Sequence, residues 1–214
     1  ETEELKPDHV YVIPPNANLE AIDTHLRLSA LERQPRERAT IDHFFRTLAE
    51  THGNQAIGVI LTGTGSDGTL GIRRIKEAGG VTIAQDPDEA EYDGMPRSAI
   101  ASGMIDLVLP LDRIPGEIAR LSATRPRIVV PAESETIDQD GNRILQKIFA
   151  QVRARLGHDF SQYKRSTIMR RIARRMQLHQ IDTLPAYLDY LREHGEETKL
   201  LFDDLLITVT EFFR

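Results

Sequence analysis

The residues of this sequence best placed to do chemistry lie in Gly58-Val-Ile-Leu-Thr-Gly-Thr-Gly-Ser-Asp-Gly-Thr-Leu-Gly71, where Asp67 sits at the tip of a glycine-rich turn. A carboxylate there can act as a helix cap, because an anion beside a helix N-terminus gains from the dipole and from unpaired N–H groups. It can also orient a histidine, as the acid of a Ser-His-Asp set does, while a backbone N–H of the same turn serves an oxyanion. Phosphate binding is a rival, since such turns cradle anions. Asp67 would repel phosphate, however, and no lysine follows the glycines as in a P-loop. Ser66 lacks the pattern of a strained nucleophile elbow and reads as a turn former. His43 falls on the polar side of its helix and His52 in the last turn, so neither is a clear partner for Asp67. The nucleophile is expected to lie elsewhere.

The elements around this turn follow from periodicity. The apolar run before it suits a strand over 57–62 covered on both faces, and the residues after it a helix from Thr69 to Ala78 closed by Gly79-Gly80. A strand at 81–84, a Pro- and Asp-containing loop, a short helix after Met95-Pro96, a strand at 105–109 and a helix over 111–121 continue the alternation. Upstream, Thr40 is a plausible cap and Gly53 the stop of an amphipathic helix. Val10–Ile13 and the stretch from Leu19 to Leu28, turning at Asp23-Thr24, suggest a short strand and a hairpin, read as a flap. The N-terminal part is therefore α/β, a doubly wound parallel sheet with a hairpin, in which active sites are built at carboxyl-end turns.

Periodicity breaks around residues 122–139, where Pro126 and Pro131 mark a linker, and a small all-α domain is expected beyond. Its helices are placed near 140–156, 164–179, 183–194 and 196–206, with Thr183 as a cap. The expected division is 1–122, a linker at 123–139, a helical domain at 140–207 and the start of a further junction at 208–214. The 214 residues are 40% hydrophobic and 28% charged, with a formal charge of -6, which fits a soluble globular protein and argues against a dedicated nucleic-acid binder. Without cysteine there are no disulfides or thiolate metal sites, in keeping with a reducing cytoplasm, and no run approaches membrane-spanning length. No metal site is expected. The chain starts at Glu1 and ends at Arg214 within an apolar-aromatic run, and both ends are expected to be internal to a longer protein.

The helical part carries a second signal, because Tyr163–Met176 contains Lys164, Arg165, Arg170, Arg171, Arg174 and Arg175 and no acid. At about 100° per residue, Ile168, Met169, Ile172, Ala173 and Met176 gather on one arc, with Lys164, Arg170, Arg171, Arg174 and Arg175 on the other. A solvated face balanced by the acids at 182–204, a nucleic-acid surface and a surface for an acidic protein all fit that pattern.

Four segments, Ile57–Gly68, Ile75–Gln85, Tyr92-Asp-Gly-Met-Pro-Arg97 and Asp106-Leu-Val-Leu-Pro110, resemble the chemotaxis protein-glutamate methylesterase domain over residues 5–121. The resemblance implies a serine, histidine and aspartate triad on a doubly wound sheet. Asp67 takes the aspartate's place and Thr64 that of the residue whose backbone N–H helps form the oxyanion hole, where methionine is common. It also implies that the serine and histidine precede Glu1, and that the esterase needs no cofactor. Tyr163–Met176, Ala186–Leu191 and Thr208-Val-Thr-Glu-Phe-Phe-Arg214 resemble the N-terminal part of the chemotaxis receptor methyltransferases over residues 143–214. There the resemblance makes Lys164, Arg171 and Arg174 receptor-facing, and Thr208, Thr210 and Arg214 contacts of the cofactor S-adenosylmethionine. Many members carry asparagine at the position of Thr208.

Together the two segments resemble fused methylesterase-methyltransferase proteins. The implied partners are methyl-accepting receptor helices, with a sensor kinase as a further candidate and neither nucleic acid nor membrane insertion. As it stands the sequence lacks the nucleophile, the histidine and most of a methyltransferase domain, so it is expected to be inactive alone in both reactions. The alternative is a non-catalytic adaptor that docks on receptors or kinases.

Overall fold

The computed structural model describes residues 2–30, 39–123, 139–161 and 163–207. The chain divides into two compact units, Glu1–Ile118 and Ala119–Arg214. The first is α/β. Strands β1 (Thr2–Glu4), β2 (Ala17–Ile22) and β3 (His25–Ala30) form an antiparallel sheet in the order β1-β3-β2. The helix α1 (Thr40–His52) follows, then β4 (Ile57–Ile60), α2 (Thr69–Glu77), β5 (Val81–Gln85), α3 (Gly94–Ala101), β6 (Leu107–Leu109) and α4 (Ile114–Ala123). The last three strands form a parallel sheet in the order β4-β5-β6, each joined to the next by a helix as parallel pairing requires.

The hairpin turns at Asp23-Thr24, with Asp23 in the left-handed region that aspartate tolerates better than most residues. It is no loose flap. Ala21 and Leu26 are buried, Thr47 of α1 accepts the Ala21 N–H at 3.0 Å, and Thr51 donates to the Ala21 carbonyl at 3.0 Å. Residues 10–13 form no strand, another departure from the sequence pattern. Val10 and Val12 are 91% and 84% exposed, no neighbouring strand pairs with them among the described residues, and Pro14 and Pro15 remove two donors. Strand β4, an edge among the described strands, alternates half-buried and buried residues, whereas central β5 is buried throughout.

The core of this unit gathers Phe45 and Ala49 of α1, Ile60 of β4, Ile72 and Ile75 of α2, and Ala99 of α3. Inside it, Lys76 and Asp106 form an ion pair at 3.0 Å with side chains 7% and 0% exposed. Asp106 also accepts the Thr82 N–H at 2.9 Å, so the remaining carboxylate valence is not wasted in an apolar surrounding.

The second unit is helical: α5 (Gln139–Leu156), α6 (Arg165–Leu178), α7 (Leu184–Glu193) and α8 (Gly195–Leu206) make eight α-helices in all among the described residues. Their apolar faces meet in one core built from Leu145, Ile148, Phe149 and Val152 of α5, Ile168, Ile172 and Met176 of α6, Leu188 and Leu191 of α7, and Leu201 and Leu205 of α8. Thr183 caps α7 by accepting the Ala186 N–H at 3.4 Å, with a proline in the first turn.

Candidate active site

Asp67 stands where the parallel sheet delivers it, in the turn between the carboxyl end of β4 and the start of α2. It does not cap its own helix. Its Oδ2 accepts the Ile41 N–H at 3.1 Å and its Oδ1 the Asp42 N–H at 3.0 Å, both in the first turn of α1. Thr40, the residue expected to cap α1, is already helical, and Ala39 before it offers no side-chain acceptor, so Asp67, 26 residues after Ile41, supplies one. The arrangement is returned: Asp42 Oδ1 accepts the Gly71 N–H of α2 at 2.7 Å. Burial raises the Asp42 carboxyl above its ordinary range, opposed by the Gly71 N–H and reinforced by the charge of Asp67. Two helix N-termini thus face each other, each holding the other's acid. The approach requires glycine at 71, where a Cβ would lie 2.5 Å from Phe45 Cβ and 3.0 Å from Asp42 Cα.

The other side of the turn is fastened to the loop before α3. Gly63 donates to the Tyr92 carbonyl at 2.8 Å and accepts from Met95 N–H at 2.9 Å; Gln85 accepts the Thr62 N–H at 2.9 Å. A Cβ on Gly94 would lie 3.0 Å from the Gly65 nitrogen, so glycine lets the two loops touch. Thr64 is exposed at the crest, and its N–H meets no acceptor among the described residues, as an oxyanion donor needs. The Ser66 carbonyl accepts the Thr69 N–H at 3.2 Å, a turn-forming contact.

No histidine of the described residues bonds Asp67. His43 Nε2 lies 3.1 Å from Glu20, and its Nδ1 3.1 Å from Arg46. Each Asp67 oxygen carries one backbone N–H and has valence left, because an ionised carboxylate offers about four acceptor sites. What the geometry can do, then, is present a fixed carboxylate edge beside an open backbone donor. Among the described residues no cluster of three or more metal-binding side chains occurs, and no helix is long and apolar enough to cross a membrane.

The basic helix departs from its expected amphipathic form. Lys164 is exposed, but Arg171, Arg174 and Arg175 are 1%, 2% and 5% exposed. For Arg174 and Arg175 the physical reason is a pair of acids one heptad apart on α8. Asp204 pairs with Arg174, and Glu197 takes a two-point contact from Arg175 together with His179 Nε2 at 2.7 Å and the Tyr187 O–H at 2.8 Å. Burial would raise Glu197, but the hydrogen bonds and charges of Arg175 and His179 outweigh it and bring its carboxyl down to about 2. Burial and the neighbouring Glu197 push the Tyr187 phenol well above its ordinary value. Arg171 and Arg174 are therefore interior side chains in this chain. The expected cofactor contacts Thr208, Thr210 and Arg214 lie outside the described residues.

Sequence reasoning took Asp67 as a candidate and passed over Asp42, although an acid in the first turn of a helix was the available signal. It also passed over Glu197 and Asp204, whose seven-residue spacing opposite Arg175 and Arg174 marks one shared helix face.

Comparison with known proteins agrees with both halves of this architecture. Residues 1–118 match the CheB methylesterase family and residues 143–206 the all-alpha domain of CheR methyltransferases. An uncharacterised 104.1 kDa protein of Rhodobacter capsulatus is 39% identical over 99% of this chain, which spans 24% of that protein. A putative protein-glutamate methylesterase/protein-glutamine glutaminase of Leptospira interrogans is 45% identical over 56% of the chain, covering 63% of the relative. The crystal structure of the Thermotoga maritima CheB methylesterase catalytic domain superposes with a TM-score of 0.51 at 35% identity, covering 56% of this chain and 66% of that one. Matched over more than half its length and carrying the fold around Asp67, the chain belongs to the CheB methylesterase family, with a CheR-type all-alpha domain following the esterase unit.

Proposed function

We propose that the chain is part of a bifunctional receptor-modifying enzyme, in which Asp67 is the acid of a Ser-His-Asp esterase set acting on glutamate methyl esters of chemotaxis receptor helices. One observation carries this: both Asp67 oxygens are anchored on α1 amides at the carboxyl end of the parallel sheet, beside an exposed turn whose Thr64 N–H meets no acceptor among the described residues. A serine and a histidine from outside this sequence would complete the set. The serine Oγ would add to the ester carbonyl while histidine takes its proton, and the Thr64 N–H would bind the oxyanion. Collapse would expel methanol, the histidine returning the proton, and water would release glutamate from the acyl-enzyme. The same set would hydrolyse a glutamine side-chain amide, the second activity in the relatives' name. This stretch alone would be inactive.

The second unit would belong to a methyltransferase acting on the same class of carboxylate. S-adenosylmethionine would supply the methyl group, with Thr208, Thr210 and Arg214 as its contacts. Lys164 is an exposed cation suited to an acidic receptor surface, whereas burial gives Arg171 and Arg174 an internal bracing role in place of a direct receptor contact. Lys164→Glu is expected to weaken binding of a receptor cytoplasmic fragment about 3–10-fold, with a shallower salt dependence; unchanged affinity in a titration would remove Lys164 from the interface. The absence of cysteine supports a cytoplasmic location.

The test is methanol release from a methylated receptor fragment by the full-length protein and by its Asp67→Asn variant. Release by the first and not the second supports the esterase. Equal release reduces Asp67 to a cap. No release by either favours the adaptor.

A further inference from the structure

We propose that Asp42 is a positioning residue for the esterase acid, gripping the β4–α2 turn from α1 so that Asp67 keeps one orientation; the inference rests on the esterase reading above. Three bonds carry it. Asp42 gives its N–H to Asp67 Oδ1 at 3.0 Å, Ile41 gives its own to Oδ2 at 3.1 Å, and the Asp42 carboxylate takes the Gly71 N–H at 2.7 Å. One residue therefore holds the turn at Asp67 and again four residues later, through its main chain and then its side chain. The missing Cβ at Gly71 admits that contact, since any larger residue would push α1 away. The partly buried Asp42 carboxylate tolerates a second acid beside it because the N-terminal amides of two helices surround the pair.

Asp42 reaches the chemistry only through Asp67. A shift of the turn would tilt the carboxylate edge that fixes the histidine tautomer, and a displacement of about 1 Å at a catalytic group can cost about 100-fold. Substrate binding elsewhere would be untouched, so the effect falls on kcat.

The experiment measures methanol release by the full-length protein on a methylated receptor fragment. Asp42→Ala is expected to lower kcat by about 10–100-fold with KM within about twofold. Asp42→Asn keeps an oxygen for the Gly71 N–H and should restore most of that loss. In an Asp67→Asn background, Asp42→Ala should slow the reaction no further, because two residues acting through one contact are not additive. If the alanine variant does not fold, Asp42→Glu keeps the charge while moving the turn by one methylene, and should still lower kcat by about tenfold. An unchanged kcat in folded Asp42→Ala or Asp42→Glu, or losses that add to those of Asp67→Asn, would overturn the inference and leave the esterase standing. Full activity in Asp67→Asn would overturn the reading of Asp67 as the triad acid, and the positioning role with it.

Discussion

Asp67→Asn in the full-length protein is expected to lower the turnover of glutamyl methyl ester by about four orders of magnitude, the effect of the same exchange in the serine-protease template. The cause is chemical. An amide cannot hold a neighbouring imidazole in the tautomer that accepts the serine proton, nor offset the charge of the imidazolium that forms. The exchange also has a structural side at this site. Both oxygens of Asp67 accept main-chain N–H groups, from Ile41 and Asp42. Asparagine has a single acceptor oxygen, so one α1 amide would face an NH2 group, at a cost of about 1–3 kcal/mol. The variant must therefore be compared at a temperature where circular dichroism shows it folded. A folded variant with more than about a tenth of the parent turnover would leave Asp67 as the α1 cap alone, far short of the catalytic loss.

The second large effect is expected in the helical unit. Glu197→Ala would strip the buried Arg175 of its two-point carboxylate, leaving it Asp204 at 3.9 Å, and leave the Tyr187 hydroxyl and His179 without this acceptor. Breaking a buried pair by removing one partner costs about 3–5 kcal/mol, enough to threaten a unit of this size. Acid should act on the same group. The Glu197 carboxyl lies at about 2 when folded against an ordinary 4.5, a depressed value, so its contribution is present above pH 4.5. It is lost as pH falls from there towards 2, and amounts to roughly 3 kcal/mol. Far-UV circular dichroism during acid titration reads this directly. Glu197→Gln should start less stable at pH 7 and lose less between pH 5 and pH 2. Parallel titration curves for the two proteins would show that Glu197 is not the group responsible.

Much of the fold was open to a reader of the sequence because its signals were local. The β4–α2–β5 unit follows from an apolar run, a glycine-rich turn and a closing Gly79-Gly80; Thr183 announces α7 before its proline. Failures came where a distant partner decides. Val10–Ile13 has the alternation of a strand, but a strand exists only with a neighbour, and none is present among the described residues. Arg174 and Arg175 look solvated by composition, since nothing local says that carboxylates of α8 await them. For Asp67 the residue was legible and its bonding was not. A cap is normally sought in the helix that follows, and here it serves the helix before.

The hydrogen bond from Tyr187 to Glu197 also makes the helical unit its own optical reporter. The chain has five tyrosines and no tryptophan, so its near-ultraviolet absorbance belongs to phenols. Tyr11, Tyr92, Tyr163 and Tyr190 are exposed or half-buried, while Tyr187 is fully buried against a carboxylate that disfavours the phenolate. In an alkaline titration the spectrum of Tyr187 stays that of the neutral phenol until the helices part. Its late red shift would mark the opening of this one unit within the 214-residue chain, without a label.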